Sequence, residues 1–446
     1  MGCMTTGTQG TQSFYRPESA LDYMPRPELE RLQLKRLRSV VQRAWERVPL
    51  FRARMNEREV TPEDIHSLAD AAKLPFTVKT DLRDTYPFGL FASSMREVVR
   101  LHASSGTTGK PIVVAYTQDD LEVWTSVMAR ALAVPGVQEG DIVQNCFNYG
   151  LFTGGLGYHY GAERLGATVI PASGGNTERQ IMLMRDFGTT VVFSTPTYFL
   201  HVLDRAEELG VDLRQMSLRI GFFGAEPWTD AMRRRIEQAA GIKAFDLYGL
   251  SEIVGPGISV DCVHQDGLHI FEDHFYAEII NPETQQGLPE GEEGELVLTT
   301  LSKQAMPLIR YRTRDISALM PGTCACGRSL RRMRRVGRRS DDMLIIRGVN
   351  VYPSQVESVL LQFDEAAPHY LIILTSEHGL DQMEVQVEVT PRIFSDKVAT
   401  MEALQKRLSD AMRQVLQTRV QVTLVAPSTI QRSEGKAKRV IDRRKI

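Results

Sequence analysis

Residues 104–111 read SSGTTGKP, inside the longer stretch VRLHASSGTTGKPIVVAY. The strand-like VVRLHA before it and PIVVAY after it make it the loop of a hairpin. Gly106 and Gly109 let backbone amides approach an anion closely. Ser104, Ser105, Thr107 and Thr108 add hydroxyl donors, and Lys110 adds a point charge. Such a loop suits a phosphate. It is not a Walker loop, which needs G-x-x-x-x-G-K-[ST]. Ser104 stands where that pattern requires its first glycine, and Pro111 stands where it requires the magnesium-binding Ser or Thr. The competing reading is a plain polar hairpin. Six consecutive small or hydroxyl residues followed by Lys-Pro weigh against it.

Outward from the loop, short apolar runs alternate with amphipathic segments from about residue 100 to 255. DIVQNCF, ATVIPAS, TVVFSTP and LRIGFFGAEP are strand-like and bounded by Gly, Pro or Ser. A helix is predicted over 119–133, with Leu121, Trp124, Met128 and Leu132 on one face. Another is predicted over 229–240, with Met232, Ile236 and Ala239 inward and Thr229 as N-cap. This alternation predicts an α/β region with a largely parallel, buried sheet. Residues 30–58 read as a helical segment, with Leu29, Leu32, Leu37, Val41 and Trp45 near helical spacing. Residues 275–320 are turn-rich and read as a small antiparallel sheet or distorted barrel. After Asp341 comes a piece of about 100 residues with its own pattern. It holds a short helix over 354–363, the strand HYLIIL and strict alternation at Met383, Val385, Val387 and Val389. A long helix carrying Met401, Leu404, Leu408, Met412 and Val415 follows, then the strand VQVTLV. The expected organisation is a disordered leader over 1–20, a large α/β N-terminal region over 21–340 and a small α+β C-terminal domain over 341–446.

The bulk numbers exclude some classes. With 446 residues, 42% hydrophobic, 24% charged and a net charge of −2, the chain has no global field toward nucleic acid. Two runs are basic: seven arginines lie in RSLRRMRRVGRR over 328–339, and six Lys or Arg lie in 435–446. Both could meet an anionic ligand or serve as solvated faces. No stretch of 18 apolar residues suggests a membrane helix. MGCMTTGTQGTQSF has no apolar signal region, and its match to a loose myristoylation pattern through Gly2 and Thr6 reads better as a leader. Five cysteines make no disulfide scaffold, so a reducing, cytoplasmic setting is expected.

SSGTTGKP resembles the nucleotide-phosphate loop of the adenylate-forming enzymes. Further matches follow in that superfamily's order: FFGAEPW (222–228), YGLSE (248–252), YRTRD (311–315), RSDDMLIIRGVNVYPSQVE and RSEGKAKR. LPFTVKTDLRDTYPFGLFA, YGLFTGGLGYHYGAERLGAT, EDHFYAEIINPET and SDDMLIIRGVNVYP resemble the phenylacetate–CoA ligase family over roughly residues 20–446. The resemblance implies a large N-terminal region, a mobile C-terminal domain and a homodimer.

It also implies roles. Ser104, Ser105, Gly106, Thr107, Thr108, Gly109 and Lys110 would hold the ATP phosphates, and Glu252 a magnesium ion. Gly224, Ala225, Glu226 and Pro227, with Tyr248, Gly249 and Ser251, would flank the nucleotide. Asp315 would accept from the ribose hydroxyls, a task for a charged acceptor, with Arg339 beside the ribose and α-phosphate. Lys436 would serve the adenylation step. Asp341 would be the hinge, and Arg347, Gly348, Val349 and Asn350 would move toward coenzyme A. Phe147, Asn148, Phe152, Gly224, Ala225, Ile253 and Pro256 would line an aryl pocket. The family commonly has Gly-Arg-Ser-Asp-Asp at the hinge, whereas this chain has Arg338 in place of that glycine. A stiffer hinge entry is expected there. Asn148 puts an amide beside the ring, so anthranilate or a hydroxybenzoate stands as an alternative to phenylacetate, unless Asn148 only braces the loop. The implied reaction is ATP-dependent aryl-acid–CoA ligation. The alternatives are loading of a carrier protein, docked by the arginine run, and a non-catalytic nucleotide sensor.

DCVHQDGLHI and GTCACGRS stand out in a cysteine-poor chain. Cys262, Cys324 and Cys326, with His269 or His264, make a Cys₃His set suited to structural zinc. Buried, incidental thiols are the other reading.

Overall fold

The computed structural model describes residues 17–104, 111–340, 344–346, 349–377, 380–390, 393, 398–431 and 439–444. The phosphate-loop residues Ser105, Gly106, Thr107, Thr108, Gly109 and Lys110 lie outside the described residues, as do Asp341, Arg347, Gly348 and Lys436.

The predicted hairpin is present. Arg100–Ser104 pairs antiparallel with Ile112–Tyr116, so the loop joins two strands. The central sheet has nine strands, and five run parallel: Lys243–Leu250, Ile220–Phe223, Val191–Ser194, Ile142–Asn145 and Thr168–Ile170. From Lys243–Leu250 the sheet continues antiparallel through Gly255–Asp261, Leu268–Ile270, Arg332–Met333 and Leu319–Met320. The sheet is therefore mixed. Its inner parallel strands, such as VVFS and IGFF, are buried on both faces by helices, hence their unbroken apolar runs. A second, antiparallel sheet orders Phe275–Ile280, Gly294–Thr300, Tyr311–Ser317 and Arg338–Arg339.

Two helices pack unusually closely under the hairpin. Gln118–Ala133 starts at an N-cap where Thr117 Oγ1 accepts from the Asp120 amide. Its Trp124 and Met128 face a glycine stripe on Thr153–Arg164. A Cβ at Gly157 would sit 2.6 Å from the Trp124 ring, and one at Gly161 2.5 Å from Met128 Cβ. Even one methyl there would overpack the core, at about 1–3 kcal/mol.

Several expectations are corrected. The segment over 30–58 is two helices, Arg26–Arg47 and Pro49–Glu57. Pro49 has no amide and forces Val48 out of the helical region, to φ −113° and ψ 101°. Of the leader expected over 1–20, residues 17–20 are ordered: Pro17–Tyr23 is a 3-10 helix with Ser19 and Asp22 fully buried. Ala240, not Ala239, faces inward on Asp230–Ala240, and Leu416 rather than Val415 on Val398–Leu416. Thr229 caps the former as expected, its Oγ1 accepting from the Met232 amide.

The C-terminal part has its own core. Val385, Val387, Leu404, Leu408 and Met412 pack with Val356, Ile372 and Leu374 in a cluster drawn wholly from residues beyond 340. Its sheet orders Gln421–Val425, Leu380–Val389, Ala366–Glu377 and Val440–Asp442. The fold is thus a large α/β N-terminal region followed by a smaller C-terminal domain.

Candidate active site

In a parallel sheet, ligands collect beyond the carboxyl ends of the strands. Three of the parallel strands end at predicted site residues, and a fourth ends beside them. Ile142–Asn145 leads to Phe147, Val191–Ser194 to Thr195–Thr197, Ile220–Phe223 to Gly224–Pro227, and Lys243–Leu250 to Ser251 and Glu252.

Three residues separated by up to 91 positions meet at one point. The Tyr248 hydroxyl donates to Asp315 at 2.6 Å, and Arg339 Nε lies 3.3 Å from the other Asp315 oxygen. Register explains the second contact, because Asp315 and Arg339 are paired residues of the antiparallel sheet. Burial, then the negative Asp315, pushes the Tyr248 hydroxyl well up, so it remains a donor. Asp315 is 4% exposed. Glu252 is 8% exposed, and its carboxylate makes no hydrogen bond among the described residues. Its oxygens are not among the buried unpartnered atoms, and a solvent-reached carboxylate at the strand ends fits a magnesium ligand, which takes one or two carboxylates beside phosphate oxygens and waters.

The Gly224–Pro227 loop is tightly set. A Cβ at Gly224 would lie 2.4 Å from the Leu247 carbonyl oxygen, and Ala225 holds φ +69°, which costs free energy in a non-glycine residue. Gly249 is as constrained, since a Cβ there would lie 2.2 Å from the Gly255 carbonyl. Ser251 Oγ is 2.9 Å from Thr153 Oγ1, and Glu226 accepts from the Thr197 amide at 2.8 Å. Both side chains are thus engaged with neighbouring helices.

The residues expected to line the ring divide. Phe147, 5% exposed, stacks on Tyr158 with centroids 5.0 Å apart and planes 10° apart. The Tyr158 hydroxyl lies 3.8 Å from a Cβ built on Gly224, so Phe147, Tyr158 and Gly224 share one wall. Ile253 is fully buried, and the Pro256 carbonyl accepts from Trp124 Nε1 at 3.0 Å. Phe152 is 38% exposed at the start of the glycine-striped helix. Asn148 is exposed, and its Oδ1 accepts from Ser173 Oγ at 3.1 Å and the Gly174 amide at 2.9 Å. It braces the loop, and the ring-reading role expected of it has no support. Tyr158 escaped the sequence reading. The stripe Gly154, Gly157 and Gly161 around it was the available signal, because it marks the helix pressed against the site.

Most arginines of the 328–339 run find carboxylate partners within the fold. Arg328 pairs with Asp22, Arg331 with Glu272, Arg332 with Asp266, Arg335 with Asp230, Arg338 with Glu293 and Arg339 with Asp315. Six of its seven arginines thus have a carboxylate partner within the fold, several of them at the surface; Arg334 is exposed.

The ligating atoms of Cys262, His269, Cys324 and Cys326 all lie within 4.8 Å of one another. Cys262 and Cys324 sulfurs are 3.6 Å apart, and Cys326 Sγ is 3.4 Å from His269 Nε2. A tetrahedral zinc with ~2.3 Å Zn–S bonds requires about this spacing. His264 is exposed and outside the group. The hydrogen bond from Cys262 holds the Cys326 thiol far below the thiol range, with His269 adding to the effect. Burial opposes charge on His269, yet the Cys324 and Cys326 sulfurs raise it to about 9. Zinc takes thiolates and a neutral imidazole, so binding here would displace the protons these four groups hold in its absence.

Among the described residues, no helix is long and apolar enough to cross a membrane.

The family model described as "AMP-binding enzyme" matches residues 55–303, and "AMP-binding enzyme C-terminal domain" matches 348–444. Phenylacetate-coenzyme A ligase of Aromatoleum evansii is 51% identical over 420 residues, covering 94% of this chain and 95% of that one. The Escherichia coli (strain K12) phenylacetate-coenzyme A ligase is 49% identical over 421 residues, covering 94% and 96%. Among solved structures, 2-hydroxyisobutyryl-CoA ligase in its postadenylation state, with R3-HIB-AMP, superposes with a TM-score of 0.90 at 29% identity, covering 98% and 94%. The same ligase in its thioesterification state, with 2-HIB-AMP and CoA, gives 0.70 at 30% identity, covering 95% and 91%. The motif order, the site assembled from it and this shared sequence over nearly the full length agree: the chain belongs to the AMP-binding, adenylate-forming enzymes, within the phenylacetate–CoA ligase family.

Proposed function

We propose that the enzyme ligates an arylacetic acid, phenylacetate or a close analogue, to coenzyme A at the expense of ATP. The general reaction is that of its family. A carboxylate oxygen attacks the α-phosphorus of ATP, the bond to the β-phosphate breaks, and pyrophosphate leaves. The CoA sulfur then attacks the acyl carbon, losing its proton, and AMP leaves. The observation that carries the reading is the meeting of Tyr248, Asp315 and Arg339 beside Glu252 at the strand ends.

In this reading Asp315 accepts from the ribose hydroxyls, Tyr248 covers the adenine, and Gly224–Pro227 flank it. The loop over 104–110 and Arg339 hold the phosphates, and Lys436 reaches the α-phosphate. Glu252 would hold a magnesium ion, which neutralises phosphate charge as pyrophosphate departs. The aryl ring lies against Phe147 and Tyr158. Phenylacetate is favoured over anthranilate because the Asn148 carbonyl is already spent on Ser173 and Gly174.

The C-terminal domain, from Asp341 onward, turns between the half-reactions and brings residues 347–350 to the CoA thiol. The present arrangement is read as that of adenylation. Its support is the higher similarity to the postadenylation state, 0.90, than to the thioesterification state, 0.70. Cys262, His269, Cys324 and Cys326 hold a structural zinc that ties two loops together. A homodimer in the reducing cytoplasm completes the reading; the four described cysteines form no disulfide with one another.

A panel of acids tests the substrate. AMP release with CoA should be at least about 10-fold more efficient for phenylacetate than for anthranilate or 4-hydroxybenzoate, a difference of ~1.4 kcal/mol. Preference for either benzoate would overturn the assignment.

A further inference from the structure

Arg439 follows the expected catalytic lysine by three residues and does not remain within its own domain. Its guanidinium lies over the Tyr370 ring at 4.9 Å, donates to the Tyr370 hydroxyl at 2.8 Å and pairs with Glu357. Those partners belong to the C-terminal domain. The other terminal nitrogen, Nη2, donates across to Thr197 Oγ1 of the N-terminal region at 3.0 Å.

Thr197 is set by the site itself. It lies in the first turn of Pro196–Glu208, and its amide donates to Glu226 of the tight Gly224–Pro227 loop. Burial lowers the Arg439 pKa while the negative Glu226 opposes that shift, so the loop's carboxylate acts on the buried cation. Two further contacts bridge the same helix and domain. His369 Nε2 lies 3.5 Å from Asp204, and Leu361 packs against the apolar cluster containing Phe199, Trp228 and Ile236.

We propose that Arg439 is a positioning residue: with Thr197 and the Glu226 loop it latches the C-terminal domain in the orientation that performs adenylation. The inference rests on the ligase reading above. The partners of Arg439 are protein groups, Tyr370, Glu357 and Thr197, so it acts through the fold. It fixes the far end of the segment that bears Lys436 and couples that end to the loop flanking the nucleotide. Domain rotation for the second half-reaction must break the Thr197 bond. The latch therefore favours the first half-reaction and is released in the second.

The test separates the halves. Acid-dependent ATP–pyrophosphate exchange reports adenylation, and CoA-dependent consumption of preformed phenylacetyl-AMP reports transfer. Thr197→Val removes one bond to a charged group without touching the C-terminal domain, and should lower exchange about 10-fold. Transfer should stay within about 2-fold, because the bond is absent when it occurs. Arg439→Met should lower exchange at least as much. The double variant should be no worse than Arg439→Met, the signature of one shared interaction. Equal loss in both halves, or unchanged exchange in Thr197→Val, would overturn the latch even though the parent is an active ligase. Absence of exchange in the parent with any aryl acid would instead overturn the ligase reading, and the latch with it.

Discussion

Replacing Asp315 with Asn tests the nucleotide site most sharply. The carboxylate is 4% exposed and already receives the Tyr248 hydroxyl at 2.6 Å and faces Arg339 at 3.3 Å. An ionised carboxylate accepts several hydrogen bonds at once, so in the proposed site it can also take the ribose hydroxyls. Each such bond contributes about 1.5–3 kcal/mol, against ~1 kcal/mol for a neutral one. Asn keeps one carbonyl oxygen, loses the charge and replaces the second oxygen with a donor. One charged bond is lost and the other weakened, a total of about 2–4 kcal/mol. That predicts kcat/KM for ATP reduced roughly 30- to 1,000-fold, chiefly through KM because the ribose is held equally in ground and transition states. Arg339 also loses its counter-charge, so thermal unfolding is measured alongside. Tyr248→Phe, which removes only the donor, should cost about 3- to 10-fold. AMP formation at varied ATP and saturating phenylacetate and CoA is the assay. A KM for ATP within about 3-fold of the parent, with unchanged melting temperature, would refute the role of Asp315.

Two further outcomes are expected. Tyr158→Ala removes the ring stacked on Phe147 and opens the wall toward Gly224; activity with para-substituted phenylacetates should rise relative to phenylacetate by about 10-fold, and an unchanged ratio would remove Tyr158 from the pocket. Protein purified without added zinc should carry about one equivalent. Cys324→Ser should lose it and melt several degrees lower while retaining most of its kcat. Less than about 0.3 equivalents in the parent would contradict the zinc assignment.

The legible part of the molecule was local. The hairpin was readable because a small-residue loop separates two apolar runs, and the parallel strands because burial on both faces leaves unbroken runs such as VVFS. The antiparallel half of the large sheet was not, since its strands are short and GPGISVD does not alternate. Asp315 and Arg339 were nameable from motifs, but their contact depends on strand register. The arginine run shows the limit most clearly. Charge counting left ligand and solvent as options, while the actual partners lie as far away as Asp22, 306 residues before Arg328. Arg439–Thr197 likewise joins residues 242 apart, and no spacing rule could reveal it. Asn148 was readable either as a ring reader or as a brace, and its Oδ1 contacts with Ser173 and Gly174 favour the brace.

The central claim is that the carboxylate travels through an acyl-adenylate. One measurement addresses it directly: the enzyme is mixed in excess with ATP, magnesium and phenylacetate, without CoA, quenched within a turnover and resolved by mass. The account predicts phenylacetyl-AMP and pyrophosphate at close to one equivalent each per active site, and conversion of that adenylate to phenylacetyl-CoA and AMP when CoA is added. Formation of ADP and phosphate, or of thioester from CoA with no adenylate able to precede it, would contradict it.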